Sequence, residues 1–168
     1  DEVEQLKAKM NDEQKGAEKV KEYLSEFFGQ LHLSLRAEKE NETEKSYKFF
    51  ILRDGNPAYN LSEGECNMIA FCYFMAKLED VSTQGKKPII WIDDPISSLD
   101  SNHIFCVYSM ILKKIVADDN FEQLFISTHN LNFLKYLKRL PERNKNKLSL
   151  IISRYDKVSV IEKMPKYM

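Results

Sequence analysis

A short apolar run that ends in two aspartates limits the fold of this chain more strongly than any other segment. Residues 89–92 (IIWI) contain no polar side chain, which is typical of a strand covered on both faces of a parallel sheet. A helix that either Asp100 or Ser101 can cap follows, and residues 124–126 (LFI) form a second apolar run. Strand, helix and strand together predict a βαβ unit and therefore an α/β fold with a mostly parallel sheet flanked by helices.

The first 28 residues carry a heptad pattern. From Val3, apolar residues recur every seven positions, and a second series three residues later is interrupted only at Glu13. Polar residues fill nearly every other position, so the apolar stripe is narrower than that of a helix packed on its own domain. The pattern favours the end of a coiled-coil arm over residues 1–28, with an ordinary amphipathic helix as the alternative. Residues 29–168 then form one domain.

Periodicity and turn signals predict the other elements of that domain. They are antiparallel strands at residues 31–35 and 47–52, a buried helix between Glu65 and Leu78, a helix at residues 130–140, and a closing hairpin at residues 148–152 and 158–161.

The composition argues against several classes of protein. A net charge of -1 and a pI of about 6.4 provide no general basic surface for nucleic acid or anionic lipid. The three cysteines show no C-x-x-C pair, which argues against a disulfide framework and a zinc site. These cysteines predict a reducing cytoplasm, and because no segment approaches the roughly 18 apolar residues of a membrane helix, we expect a soluble protein without membrane contact. The local basic stretch from Lys135 to Lys147 is either a solvated surface or a nucleic-acid contact.

Asp93 and Asp94 stand where the first apolar strand emerges, at the edge where ligands bind in open α/β sheets. Mg²⁺ bound to a nucleotide takes one or two carboxylates, directly or through water, and a second acid can deprotonate an attacking water. On this interpretation Asp93 serves the metal and Asp94 serves the water. The alternative is that two acids before Pro95 only end the strand and cap the next turn.

His129 follows the second apolar strand, so it should reach the same sheet edge as the two aspartates. A histidine at a strand end is often structural. Here it can also hydrogen-bond a phosphate oxygen or the water that Asp94 holds.

Residues 61–65 (LSEGE) open the predicted buried helix. Ser62 followed by Glu65 is a capping-box pattern, which explains these two residues without a ligand. Gly64 is left unexplained by capping, since glycine in a first helical turn costs up to about 1 kcal/mol. It is explained if a ligand approaches the backbone closely, and a helix N-terminus favours an anion such as phosphate.

Four segments together resemble the motifs of ATP-binding cassette (ABC) ATPases, which are P-loop NTPases. Residues 61–65 resemble the signature motif, residues 89–94 the Walker B strand, residues 97–100 the D-loop, and His129 the switch histidine. With the heptad helix before them, they are similar to SMC proteins and related DNA-repair ATPases, in which a coiled-coil hairpin splits the cassette into two lobes. Residues 92–103 are most similar to the ATPase domains of bacterial anticodon nucleases and their phage-defence relatives.

This resemblance implies roles for the matching residues. Asp93 would hold Mg²⁺ through water, Asp94 would position the hydrolytic water, and His129 would sense the γ-phosphate of ATP. The signature would bind a nucleotide held by the opposite subunit, so ATP would be sandwiched in a head-to-tail homodimer. The nucleotide-binding residues implied in this way are Ser62, Gly64, Glu65, Ser98 and Asp100, the last of which helps join the two sites.

The phosphate-binding loop of such ATPases does not occur in this sequence. There is no G-x-x-x-x-G-K-[ST] segment, and the five glycines cannot form one. The resemblance therefore implies that an N-terminal lobe with the Walker A loop lies before Asp1 in a parent chain. This C-terminal lobe alone should neither hold ATP tightly nor hydrolyse it.

Three functions are compatible with the sequence. The first is a nucleotide-driven conformational switch in DNA or RNA maintenance or phage defence. The second is the regulatory ATPase half of a tRNA (anticodon) nuclease, with contact to DNA or tRNA made through the parent protein. The third is an assembly module that binds partners without hydrolysing ATP.

Overall fold

The structure is a computed structural model that describes residues 2–39, 47–83, 85–119, 121–141 and 147–165, with the backbone alone for residues 2–12, 39 and 81–83. The helices are α1 (Glu2–Phe28), α2 (Glu63–Thr83), α3 (Ser101–Ile111), which continues into a π-helical turn (Leu112–Val116), and α4 (Leu131–Leu137). The strands are β1 (Leu33–Lys39), β2 (Tyr47–Arg53), β3 (Asn56–Pro57), β4 (Ile89–Asp93), β5 (Gln123–Ser127), β6 (Leu150–Tyr155) and β7 (Val158–Lys163).

The predicted mixed α/β character is confirmed, but the strands do not form one mostly parallel sheet. Within the described ranges, β4 and β5 are parallel, β1, β2 and β3 form an antiparallel sheet, and β6 and β7 form an antiparallel hairpin. The βαβ unit is present because α3 carries the chain from β4 back to the start of β5. The two-stranded parallel pair thus lies between the two antiparallel pieces in chain order.

The prediction that β4 is covered on both faces is wrong for the described residues. Ile90 and Ile92 are buried at 4% and 5% exposure, whereas Ile89 and Trp91 are 65% and 68% exposed. Successive side chains of a strand point to opposite faces, and the core lies against one face only. On the other face Trp91 stacks on the half-exposed Phe125 of β5, with ring centroids 5.4 Å apart. An apolar sheet face is therefore open to solvent.

The second half of α1 belongs to the core of the domain. Val20, Tyr23 and Leu24 are fully buried in the same cluster as residues of α2 and α3. Glu13, the residue that interrupts the heptads, pairs with Lys77 of α2 at 3.0 Å. The polar residue in the heptad pattern thus contacts the domain to which α1 belongs, as expected for an amphipathic helix. The coiled-coil interpretation of the earlier heptads stays a prediction, because no side chain before residue 13 is described.

A partly buried polar contact also joins α1 to α2. The hydroxyl of Tyr23 donates to the carboxylate of Glu79, and Lys19 lies 3.5 Å from the same carboxylate. Burial, followed by this hydrogen bond, raises the pKa of Tyr23 well above its ordinary value. Tyr23 therefore acts as a neutral donor that fixes the angle between the two helices.

The C-terminal part of the chain includes the basic stretch, of which residues 142–146 lie outside the described ranges. Lys147 donates to the carbonyls of Leu137, Lys138 and Leu140 at 2.8–3.1 Å. These are carbonyls at the C-terminal end of α4, where a cation is favoured. Lys147 thus caps the C-terminal end of α4. One positive charge of the basic stretch is therefore engaged within the chain, which weakens the interpretation of this stretch as a nucleic-acid contact. In the described part of the chain, the helices lack an apolar stretch long enough to cross a bilayer.

Candidate functional site

The two aspartates lie at the carboxyl ends of the parallel strands. Asp93 is in register with Ser127, and the amide of Asp94 donates to the Ser127 carbonyl at 2.9 Å. Asp94 has a φ of 40°, in the left-handed region that non-glycine residues seldom adopt. This turn directs the chain away from β4 directly after the strand, and it brings Asp94 toward the residues that follow β5.

Asp94 is held by three side chains. Thr128 Oγ1 donates to Asp94 Oδ1 at 2.8 Å, Ser97 Oγ donates to Oδ2 at 3.2 Å, and His129 Nδ1 lies 2.8 Å from Oδ2. The Asp94 side chain is 19% exposed, while that of His129 is 84% exposed. The predicted proximity of Asp94 and His129 is therefore present in the structure. The carboxylate is fixed from the protein side, and the imidazole faces solvent.

Asp93 is the more open of the two acids. The hydroxyl of Ser127 donates to Asp93 Oδ1, and the residue as a whole is exposed. Among the described residues there is no group of three or more acidic, histidine or cysteine side chains that would hold a metal by itself. An exposed carboxylate next to a second carboxylate suits Mg²⁺. This ion keeps several water ligands, and the phosphates of a nucleotide complete its coordination shell.

A cavity of about 320 Å³ lies beside the aspartates. Its walls combine acidic and polar groups of the β4 turn with aromatic side chains of α2 and β4: Asn67, Phe71, Phe74, Trp91, Asp93 and Asp94. Because Trp91 belongs to the open sheet face, the cavity is continuous with that face. A ligand or a second polypeptide segment can thus reach the acids from this side.

The first turn of α2 has the predicted capping box. The Glu65 amide donates to Ser62 Oγ at 3.2 Å, and the Ser62 amide donates to Glu65 Oε2 at 2.9 Å. Arg53 at the end of β2 donates to Glu65 Oε1 at 2.6 Å. The Ser62 amide, and then the Ser62 hydroxyl and Arg53, hold the pKa of Glu65 below its ordinary value despite partial burial. The negative charge of Glu65 is thus largely balanced within the chain.

Glu65→Gln should therefore lower stability in a pH-dependent way. Because the folded pKa of Glu65 is depressed, its stabilisation is complete above the ordinary value of 4.5 and is lost as pH falls through the folded pKa. We expect the variant to lose about 1 kcal/mol near neutral pH, as for other lost caps, and progressively less in acid. Urea unfolding across this range measures the difference. The matched control is Glu63→Gln, which removes an exposed charge from the same turn and should show a smaller, less pH-dependent loss.

Gly64 is explained by a contact inside the chain. A Cβ at this position would lie 2.9 Å from the carbonyl oxygen of Ser98, closer than real side chains approach. From the sequence, this glycine is predicted to allow the close approach of a phosphate. The structure supplies another cause, namely the loop after β4 packing against α2, and the phosphate contact stays a proposal.

Asp100, and not Ser101, caps α3. Its Oδ1 accepts from the amides of Asn102 and His103 at 2.9 and 3.0 Å, and its Oδ2 lies 3.0 Å from His103 Nδ1. The His103 amide is the largest cause of the lowered pKa of Asp100. Ser98, two residues earlier, has a φ of 59°. These two predicted nucleotide-binding residues thus belong to a bent loop held by a helix cap.

Several polar residues of the site were not assigned a role from the sequence. Ser127 and Thr128 hold the two aspartates, Ser97 contacts Asp94, and Asn67 of α2 donates to the Ser97 carbonyl at 2.7 Å. The available signal was the position of Ser127 and Thr128 directly before His129. Asn67 carries no such signal, since its partner lies thirty positions away along the chain.

Comparison with known protein families gives a match over the whole chain. The family profile AAA_13, described as an AAA domain, matches residues 1–168. An uncharacterised protein of the SCCmec type IVc chromosomal cassette of Staphylococcus aureus is 35% identical over 132 residues, which is 74% of this chain. The same name and identity are found for strain MRSA252 and for the species in general. The chain spans 18% of the length of these relatives.

Three solved structures of SMC proteins have a similar fold. One, from work on ATP-driven dimerization and DNA-stimulated activation of SMC ATPases, has a TM-score of 0.61 at 15% identity, covering 95% of this chain and 89% of that chain. An Smc head with a coiled coil and joint from Pyrococcus yayanosii has a TM-score of 0.62 at 15% identity, covering 90% and 27%. An Smc head bound to the C-terminal winged-helix domain of ScpA has a TM-score of 0.56 at 16% identity, covering 90% and 44%.

Proposed function

The chain belongs to the AAA domain family AAA_13, and on that premise we propose that it is the C-terminal lobe of an ABC-type ATPase head that closes on ATP. The observation that carries this proposal is the group of Asp94, Thr128 and His129 at the carboxyl end of the parallel strands. Ligand sites of open α/β sheets lie at this edge. An SMC-like fold agrees with such a head.

In the proposed reaction, Asp94 accepts a proton from the water that attacks the γ-phosphate. Thr128 and Ser97 fix the carboxylate, so that one orientation is kept without reorganisation during the reaction. His129 is exposed beside it, with Nδ1 facing Asp94, so its Nε2 would donate to a γ-phosphate oxygen. Asp93 is the residue that would hold Mg²⁺ through water, and the ion would supply neutralisation of phosphate charge.

The signature contact is proposed to be made in trans. Ser62 and Gly64 stand at the N-terminal end of α2, where free amides and the helix dipole favour phosphate. Arg53 balances the charge of Glu65, which lessens the electrostatic repulsion between this turn and a phosphate. A head-to-tail homodimer would bring this turn to the nucleotide of the opposite subunit, with Ser98 and Asp100 on the loop between the two sites.

The partner that completes each head is proposed to be the N-terminal lobe with the Walker A loop. This lobe would cover the open apolar face formed by Ile89, Trp91 and Phe125. Such a patch on a monomer marks an interaction surface. Both outer edges of the β4–β5 pair have no strand partner among the described residues, so added strands can extend the pair to a larger sheet.

Trp91→Lys is expected to separate the two lobes without unfolding this one. Trp91 is mostly exposed, so its replacement should cost only the stacking on Phe125, about 1 kcal/mol. The charge would nevertheless be buried against the N-terminal lobe, and co-purification of the separately expressed lobes should be lost. The control is Leu31→Lys, an exposed apolar residue that lies outside β4 and β5. Equal co-purification of both variants would remove Trp91 from the lobe interface.

The biological setting is also a proposal. The sequence of residues 92–103 favours a nucleotide-driven conformational switch in DNA or RNA maintenance or phage defence, including the regulatory ATPase half of a tRNA nuclease. DNA or tRNA would be contacted through the parent protein. The cysteines Cys66, Cys72 and Cys106 are free, which suits the reducing cytoplasm.

The deciding experiment is ATP turnover and ATP-dependent dimerisation of the full-length protein. Turnover that depends on Asp94 and Ser62 supports the ATPase head. Absence of turnover, with partner binding retained, supports the assembly module instead.

A further inference from the structure

We infer that Asn67 is a positioning residue that fastens the loop after β4 to the first turns of α2 and thereby sets the orientation of Asp94. The inference rests on the proposed function, because it assigns Asn67 a role in the same hydrolysis. It connects α2, which is proposed to face the nucleotide of the opposite subunit, with Asp94, which is proposed to act on the nucleotide of its own subunit.

The first link is the contact of α2 with the loop. Asn67 Nδ2 donates to the Ser97 carbonyl at 2.7 Å. One turn earlier on α2, Gly64 allows the Ser98 carbonyl to approach so closely that no side chain fits between them. Two successive loop carbonyls are therefore held against one face of the helix.

The second link runs from the loop to Asp94. Ser97 Oγ donates to Asp94 Oδ2 at 3.2 Å, so the residue whose carbonyl Asn67 holds also contacts the carboxylate. Asp94 and Ser98 both have positive φ, at 40° and 59°. Non-glycine residues persist in this conformation only when surrounding contacts impose it. The Asn67 amide is one such contact, since it is a side chain reaching in from another element.

Together the two links form a short path of contacts that couples α2 to the Asp94 carboxylate. When a partner's nucleotide docks on the N-terminal turn of α2, any shift of the helix moves the Ser97 carbonyl through Asn67, and Ser97 moves the Asp94 carboxylate. Loss of the link should disturb the acid in its own site, while the Walker A loop of the N-terminal lobe, which would hold the ATP phosphates, is unchanged. The expected signature is thus a fall in kcat with an unchanged KM.

The test is Asn67→Leu in the full-length protein, with Cys66→Ala, its exposed neighbour on α2, as the matched control. Leucine has similar size and suits a helix, but it cannot donate to the carbonyl. We expect kcat for ATP to fall about tenfold, because small misplacement of a catalytic group has large effects, while KM changes by less than about twofold. Amide hydrogen exchange of residues 94–100 should become faster.

A double-mutant cycle with Ser97→Ala tests whether the two contacts form one path. If they do, the double variant should be no slower than the worse single variant. Additive losses, an unchanged kcat in Asn67→Leu, or a KM that rises in parallel with the loss of kcat would each overturn the inference.

Hydrogen exchange keeps this outcome separate from the failure of the proposed function. If the natural protein shows no turnover but Asn67→Leu accelerates exchange of the loop, the fastening stands and the ATPase proposal fails. If turnover depends on Asp94 but neither kcat nor exchange responds to Asn67→Leu, the ATPase proposal stands and Asn67 has no positioning role.

Discussion

Asp94→Asn in the full-length protein should lower kcat for ATP hydrolysis by at least about a hundredfold, the usual contribution of a general base. Asparagine has the shape of aspartate and tolerates positive φ, so the turn at φ 40° should persist. Its amide oxygen can still accept from Thr128 at the position of Oδ1. What disappears is the ability to take the proton of the attacking water, together with the acceptor for Ser97 Oγ and His129 Nδ1 at the position of Oδ2. ATP binding and ATP-dependent dimerisation should therefore be retained, as measured by nucleotide titration and light scattering.

The matched control is Asp156→Asn in the turn between β6 and β7. Asp156 also has a positive φ, at 52°, and the substitution removes the same charge from the turn that joins β6 to β7, outside the group of residues at the carboxyl ends of β4 and β5. This variant should hydrolyse ATP at the natural rate. If Asp94→Asn keeps more than about a third of kcat, Asp94 is not the base and only ends the strand, which is the alternative open from the sequence.

The meeting of Asp94 and His129 was predictable because it depends on topology. Two apolar runs separated by one helix make parallel neighbours, and the carboxyl ends of parallel neighbours lie at the same edge. The residues that follow those ends must then lie close together, whatever the detailed path of the loops. The proximity of His129 and Asp94 follows from that constraint, whereas the 2.8 Å distance between Nδ1 and Oδ2 also depends on the turn at Asp94.

The contacts of Asn67, Ser97 and Thr128 were not predictable in the same way. They depend on the positive φ of Asp94 and Ser98, which re-aims the loop toward α2 and β5. Local sequence seldom specifies such a conformation for residues other than glycine. Gly64 was correctly recognised as unusual, but the group that approaches it inside this chain is a carbonyl from the same loop.

The open face of β4 and the packing of α1 show a second reason why parts of the fold could not be predicted from the sequence. An all-apolar strand indicates that both faces are covered, but it does not say which polypeptide segment covers them. Ile89 and Trp91 are exposed because the described elements pack on the other face. Similarly, a heptad pattern interrupted by Glu13 does not say which residue pairs with Glu13. The partner could belong to a second helix of a coiled coil, but in the structure it is Lys77 of the same chain.

Ser62→Arg should abolish the turnover of the homodimer by placing a long cation where the signature turn meets the partner's nucleotide. Turnover should fall at least about a hundredfold, because the composite site depends on preorganised contacts to the phosphate. Ser62→Ala is the control for capping, since it removes the hydroxyl that accepts from the Glu65 amide but leaves the surface open. It should lose about 1 kcal/mol of stability and keep clearly more turnover than Ser62→Arg, because only one contact to the phosphate is lost.

Mixing the Ser62→Arg and Asp94→Asn proteins tests whether the signature acts in trans. A head-to-tail heterodimer of the two has one site with both defects and one site with Asp94 from one subunit and Ser62 from the other. With random exchange of subunits, independently working sites should recover roughly a quarter of the natural turnover, although each variant alone is inactive. If Ser62 served the site of its own subunit, every site in the mixture would carry one defect. Mixing would then restore no turnover, and a head-to-tail arrangement of independent sites would be wrong.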